Sequence, residues 1–134
     1  MRILQGVGEG RKQVPAVIGT EGVNLLTEMA NEVFVAPTVV DYISRIVDAT
    51  RNAVQVRLGA SVRGAIGLTR AAKTWAAAHG RNYVTPDDVK ALAAPVLEHR
   101  LILEPEAEFD GLTASQVIAQ ILLDVTPPSK GEGI

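Results

Sequence analysis

Apolar positions along this chain recur mainly at the spacing of a helix. They lie three and four residues apart at about 21–31, 37–51 and 62–79, and in two further stretches that begin near 86 and 114. This spacing places apolar side chains on one face of a helix. Short apolar or alternating runs at 33–35, 54–58, 82–84 and 101–103 predict brief extended segments. The expected fold is mainly α, a compact bundle of about five helices with short β segments.

Each of the first three helices has a stripe that should face the core. The stripes are Val23, Leu26 and Ala30 in the first, Val40, Ile43 and Val47 in the second, and Ala65, Leu68, Ala72 and Trp75 in the third.

Helix ends are marked by residues whose chemistry suits a terminus. A hydroxyl can accept a hydrogen bond from the first turn, and proline fits there because its missing N–H would be unpaired anyway. The expected N-terminal markers are Thr20, Pro37, Ser61, Thr85, Pro86 and Thr113. Gly80 suits the end of the third helix, and Pro95 should kink or split the fourth.

These patterns divide the 134 residues into three parts. Residues 1–19 predict a flexible lead-in, residues 20–125 a helical domain, and residues 126–134 a loose tail with two prolines and two glycines. Within the domain, residues 104–111 predict an acidic loop. The length and the 47% of hydrophobic residues suit a single domain with its own core.

Composition indicates the cellular compartment in which the chain is expected. The chain has no cysteine, no apolar run of the ~18 residues that a membrane span needs, and no apolar signal segment after Met1. We therefore expect a cytoplasmic location, no disulfides and no contact with a membrane.

Patterns for catalysis and metal binding are weak. The stretch Gly6–Gln13 has the glycines and lysine of a phosphate-binding loop, but its second glycine is misplaced and Gln13 replaces the hydroxyl. Two histidines, His79 and His99, without cysteine fall short of a zinc site. The chain is not expected to be a complete enzyme or to bind a metal.

Charge is unevenly distributed along the chain. Residues 49–86 hold six basic residues and no acidic one, whereas the chain as a whole has 13 basic and 15 acidic residues. Two interpretations stay open: an ordinary solvated face, or a face that meets an anion.

Arg63 breaks a local rule. With Ser61 as cap, Arg63 lies in the first turn of its helix, where a cation opposes the helix dipole at a cost of ~0.3–1 kcal/mol. An anion shared by Arg63 and the backbone N–H groups of Ser61 to Gly64 would reverse that cost. Arg70, seven residues on, would share the same polar face. The alternative is an exposed arginine that pairs with a nearby acid.

Several motifs together resemble the C-terminal helical lid domain of MoxR-type AAA+ ATPases. The match covers about residues 23–125, and the order of the pieces is specific although each alone is weak. The pieces are Gly59–Gly64, Asn82–Val89, Val96–Leu101, Asp41–Ile43, Ala49–Arg51 and the helix after Thr113.

This resemblance implies a role for each part. The position of Arg63 is that of the family's sensor-2 arginine, which contacts nucleotide phosphates from the lid, with Ser61, Gly64 and Arg70 as supporting contacts. Val62 departs from the family's usual proline. The catalytic motifs belong to a preceding α/β core, so a truncated piece of a longer protein is expected.

The parent protein would hydrolyse ATP with Mg, and no cofactor is expected on the isolated domain. Implied partners are its own AAA+ core domain, neighbouring subunits of a hexamer, and von Willebrand A domain proteins. The implied activity is chaperone-like, in complex assembly or metallocofactor insertion. Alternatives are a nucleic-acid-binding module, disfavoured by the net charge of −2 and scarce aromatic residues, and a protein-interaction domain with no nucleotide role.

Overall fold

The computed structural model describes residues 19–129 and is mainly helical. Its elements, in chain order, are α1 (Thr20–Asn31), α2 (Pro37–Asn52), β1 (Val56–Leu58), α3 (Val62–Ala78), α4 (Pro86–Leu97), a 3₁₀ turn (Glu98–Arg100), β2 (Ile102–Leu103), α5 (Pro105–Phe109) and α6 (Ala114–Asp124). The predicted fold class is confirmed. The stretch Gly6–Gln13 and nearly all of the predicted lead-in lie outside the described residues.

Most predicted helix starts are present. Thr85 and Thr113 each begin a reciprocal capping box, with Asp88 and Gln116 three residues later. Pro37 and Pro86 occupy the first turns of α2 and α4. The exception is Thr20, which is the first helical residue, because Gly19 holds the cap position and no side chain caps α1.

The end of α3 follows from Gly80, whose φ of +73° a side chain would disfavour. The N–H of Gly80 donates to the carbonyl of Ala77, and the N–H of Arg81 donates to that of Ala76. This pair of bonds is the Schellman motif, which closes the helix and turns the chain towards α4.

The core lies among α2, α3, α4 and α6. Its largest fully buried side chains include Tyr42, Ile43, Ile46, Leu68, Leu97 and Ile118.

Four residues expected in the core are exposed instead, namely Val23, Leu26, Val40 and Trp75. In α1 only Ala30 is buried, because α1 packs mainly on α3 and no other described element covers its remaining faces. Trp75 stacks beside His79 at the surface, with 4.6 Å between ring centroids.

Extended segments form where the pattern predicts them. β1 pairs with β2 in antiparallel fashion, Val56 opposite Leu103, and Phe34 bridges Tyr83 in parallel. The predicted acidic loop is wrong in part, because residues 105–109 form the short helix α5 with Pro105 in its first turn. Pro95 does not split α4, which continues two residues further.

The described part of the predicted tail, residues 126–129, contacts α2. Nη1 of Arg45 donates to the carbonyl oxygen of Thr126 at 2.8 Å, and the two prolines that follow are half-buried. Among the described residues, no helix has the length and hydropathy to cross a membrane.

A largely buried ion pair fixes the connection from α3 to α4. The two terminal nitrogens of Arg81, Nη1 and Nη2, each donate to a carboxylate oxygen of Asp88 at 2.6 Å, and the Asp88 side chain is 4% exposed. Burial raises the pKa of Asp88, but hydrogen bonds from Arg81 and Thr85 outweigh it and hold the pKa below its usual 3.8. The sequence pattern predicted the cap formed by Thr85 and Asp88, but it did not predict that Arg81 pairs with Asp88.

Replacing Asp88 with asparagine should lower the free energy of unfolding by about 3 kcal/mol at neutral pH, because it leaves the Arg81 charge without its counterion. A carboxylate with a lowered folded pKa stabilises the fold above its unfolded pKa, and this stabilisation is lost as the pH falls through the folded pKa. The difference between the two proteins in urea denaturation should therefore shrink as the pH falls below about 4.

The matched control is Asp87→Asn, because Asp87 is the exposed neighbour in the same helical turn. It should cost under about 1 kcal/mol, the contribution of a charge to the helix dipole. Equal losses in the two variants would show that the ion pair adds nothing beyond that dipole effect.

Candidate functional site in the turn before α3

The turn from β1 into α3 is held by two consecutive residues of α2. The N–H of Ala60 donates to Oγ1 of Thr50 at 2.9 Å, and the carbonyl of Ala60 accepts from Nε of Arg51 at 2.7 Å. Thr50 is fully buried, and its hydroxyl donates to the carbonyl of Val47. Both backbone groups of Ala60 are thus paired, and the start of α3 is fixed to α2.

Gly59 is required by this close approach. A β-carbon at position 59 would lie 2.7 Å from backbone atoms of Thr50 and Arg51, closer than any real contact. The glycine therefore allows the backbone of the turn to lie directly against the last part of α2.

Ser61 begins α3 as predicted, and its Oγ accepts from the N–H of Arg63 at 3.2 Å. The N–H of Gly64 donates to the carbonyl of Ser61. Two of the four backbone N–H groups expected to meet an anion therefore already have partners. Gly64 is buried, and a β-carbon at this position would lie in tight contact with Ala60 and Leu97.

The side chains of Arg63 and Arg70 are exposed on α3. Within residues 19–129, neither makes an ion pair or a side-chain hydrogen bond. Among the described residues Arg57 and Arg100 also lack a carboxylate partner, whereas three arginines have one: Arg45 with Asp41, Arg51 with Asp48, and Arg81 with Asp88. Arg63 is thus an exposed cation without a described counterion, in the first turn of a helix.

Arg100, in the 3₁₀ turn after α4, joins this surface and was not singled out from the sequence. Its Nη2 lies 3.6 Å from where a β-carbon of Gly67 would be, and its Cδ lies 3.4 Å from that of Gly64. A signal was available: two glycines in one helix are costly, which points to something packed against them.

In the rest of the described domain, the features that bear on function are potential metal-binding groups, cavities and exposed aromatic side chains. Among the described residues, no group of three histidine, aspartate or glutamate side chains could hold a metal ion. A cavity of about 730 Å³ lies between the end of α2 and α6, and Arg63 does not line it. Four of the five aromatic side chains are exposed, so aromatic exposure argues less against nucleic acid than the composition suggested.

The AAA lid domain family matches residues 48–121, which include the Thr50–Ala60 contact, the start of α3 and Arg100. The chain belongs to the AAA lid domain family.

Relatives place this lid domain more narrowly. It is 39% identical to uncharacterized protein YeaC of Bacillus subtilis over 84% of the chain and 35% of that protein. It is 35% identical to chaperone MoxR1 of Mycobacterium tuberculosis over 94% of the chain and 36% of that protein. The predicted recognition of a C-terminal lid domain of a MoxR-family AAA+ ATPase is confirmed.

A solved structure shares the fold. A protein of Cytophaga hutchinsonii, classed provisionally as an ATPase, superposes with a TM-score of 0.80 and 32% identity over 96% of the chain and 42% of that structure. The chain spans about a third of the length of the two curated relatives.

Two glycines of the lid domain should respond oppositely to alanine. Gly59→Ala should lower the free energy of unfolding by about 1–3 kcal/mol, because the methyl group would overlap the α2 backbone. Gly67→Ala should be neutral or stabilising by up to about 1 kcal/mol, because its methyl would make only ordinary contacts and alanine favours a helix. Urea denaturation measures both, and equal effects would contradict this account of the turn.

Restoring the family's proline at position 62 should stabilise the domain. Val62 is the first residue of α3, and Ser61 has φ −101° and ψ −175°, the extended conformation that a residue before proline prefers. Val62→Pro should add about 0.5–1 kcal/mol by restricting the unfolded chain. Val62→Ala is the control for loss of the exposed valine side chain, and a Val62→Pro protein no more stable than Val62→Ala would refute the expectation.

Proposed function

We propose that this lid domain senses ATP through Arg63, which acts as the sensor-2 residue of the parent ATPase. The observation that carries the proposal is the exposed Arg63 side chain, without a counterion in the described residues, in the first turn of α3. The resemblance of Gly59–Gly64 to the family's motif, in which the sensor-2 arginine has the position of Arg63, supports the proposal.

Electrostatics supports a phosphate as the missing partner. A cation at a helix start is unfavourable alone, but an anion there interacts favourably with both the cation and the helix dipole. A guanidinium group can also donate two parallel hydrogen bonds to a phosphate. Ser61 would contribute by fixing the helix start, and Arg70 by adding positive charge to the same face.

The arginine side chains of this site are suited to bind the phosphates of ATP and not its Mg ion. Arginine cannot ligate a cation, and the described acidic residues form no metal-binding group. In the proposed arrangement ATP supplies the transferable phosphoryl group, and a core domain outside this chain supplies the metal ligands and the catalytic groups. Arg63 would hold phosphate oxygens and offset negative charge during hydrolysis.

Closure of the lid would transmit the nucleotide state. Contact between Arg63 and phosphate stabilises the closed position of the lid, and release of phosphate removes that stabilisation. We propose that this motion acts on the core domain and on neighbouring subunits of a hexamer in the cytoplasm. One relative is named a chaperone, which agrees with a chaperone-like role in complex assembly or metallocofactor insertion. Von Willebrand A domain proteins are proposed partners through the family resemblance alone.

In the full-length ATPase that contains this chain, Arg63→Ala should lower kcat by at least about tenfold, because one preorganised donor to the reacting group is lost. Arg57→Ala is the matched control, since Arg57 is an exposed arginine six positions away on β1. It should leave kcat within about twofold, because Arg57 lies on β1 and not in the helix turn that is proposed to meet the phosphates. Unchanged turnover in a folded Arg63→Ala protein would disprove the sensor role.

A further inference from the structure

Arg100 lies across the same helix as Arg63, although it comes from a different element. Its 3₁₀ turn follows α4 directly, and α3 and α4 form the most extensive helix contact of the domain. The aliphatic part of the Arg100 side chain lies over Gly64, and its guanidinium group lies beside Gly67.

The two glycines make room for this arrangement. A β-carbon on Gly64 would lie 3.1 Å from Cβ of Ala60 and 3.2 Å from a methyl of Leu97, both tight contacts. At Gly67 the nearest atoms would be 3.6 Å away, on Arg100 and Val96, so an alanine would fit there but a longer side chain would displace the guanidinium.

Gly67 lies between Arg63 and Arg70 on α3, four residues from one and three from the other. Residues at these spacings have β-carbons roughly 5–6 Å apart on one helix face. The guanidinium of Arg100, beside Gly67, is therefore within side-chain reach of both other arginines. Three arginines, two from α3 and one from the 3₁₀ turn, can thus reach one surface, and within residues 19–129 none of them has a carboxylate partner.

Like charges on one surface repel each other, and an anion between them would offset that repulsion. The anion must accept from guanidinium groups on two different elements. A single carboxylate has only two oxygens to accept these bonds, whereas a polyphosphate has several charged oxygens in a row.

We propose that Arg100 is a second polyphosphate-binding residue, which together with Arg63 binds neighbouring phosphate groups of one nucleotide. This inference deepens the proposed function and rests on it for the identity of the ligand. Arg63 and Arg100 bind from α3 and from the end of α4, and Arg70 adds charge at the edge.

The test is titration of the ¹⁵N-labelled chain with inorganic tripolyphosphate at low ionic strength, followed through amide and arginine Nε–H signals. The Arg100 Nε–H signal should shift together with that of Arg63. Arg63→Gln and Arg100→Gln should each raise the Kd about tenfold, the loss of one charge-assisted contact. Arg57→Gln, which removes the same charge elsewhere, should raise it less than about twofold.

A variant that keeps every charge adds a second measurement. Gly67→Leu places a side chain where the guanidinium of Arg100 lies, and it should weaken tripolyphosphate binding as much as Arg100→Gln does. Gly67→Ala, whose methyl fits, should bind as the unsubstituted chain does. Equal binding by the leucine and alanine variants would overturn the inference, because attraction by net charge alone predicts that result.

The outcomes separate this inference from the proposed function. If Arg63→Gln weakens binding and Arg100→Gln behaves like Arg57→Gln, the role of Arg100 is refuted and that of Arg63 stands. If only Arg100→Gln weakens binding, the joint site of Arg63 and Arg100 is refuted, and ATP turnover by the full-length Arg63→Ala protein decides the sensor role. If the unsubstituted chain shows no arginine shifts with tripolyphosphate, the inference is refuted, and ATP turnover by the full-length Arg63→Ala protein decides the proposed function independently.

Discussion

The pairing of Ala60 with Thr50 and Arg51 fixes the geometry on which the proposed site depends. Both backbone groups of Ala60 bond to consecutive residues of α2, so the turn can neither rotate nor slide without breaking two hydrogen bonds. The bond from the N–H of Ala60 to Thr50 is buried. An unpaired donor at such a buried position would cost about 1–3 kcal/mol. Ser61 follows directly, and its cap sets the first turn of α3 and the position of Arg63. Ala60, which is not proposed to contact the ligand, thus helps to orient Arg63, which is.

The two glycines of α3 lower the stability of that helix but allow close packing against it. A glycine inside a helix costs about 0.5–1 kcal/mol relative to alanine, and α3 has two of them. Gly64 permits close packing against Ala60 and Leu97, which closes the core below the helix start. Gly67 has ordinary space around it, so packing alone does not require it there. An alanine would fit there as well, and what the space excludes is a longer side chain, which would displace the guanidinium of Arg100.

Local chemistry made much of this fold predictable. Hydroxyl caps, first-turn prolines and Gly80 act over a few residues, and the structure has them at Ser61, Thr85 and Thr113 as predicted. Burial was less predictable, because periodicity identifies an apolar face but not the element that covers it. Val23, Leu26 and Trp75 were therefore assigned to a core that does not reach them. Contacts between distant residues, such as Arg81 with Asp88 or Arg100 with Gly67, leave no periodic signal.

Two arginines from different elements constrain how a nucleotide could act on the lid. A phosphate bound by Arg63 alone would interact only with α3, whereas one bound by Arg63 and Arg100 would link α3 to the end of α4. These two helices already pack closely, with Leu97 against Gly64, so binding would change their mutual position little. A ligand shifts a conformational equilibrium only through its different affinity for two states. Under the proposed function, the state that changes would therefore be the position of the whole lid relative to the phosphates, and the contacts of Ala60 with α2 would keep α2 and α3 together as the lid moves.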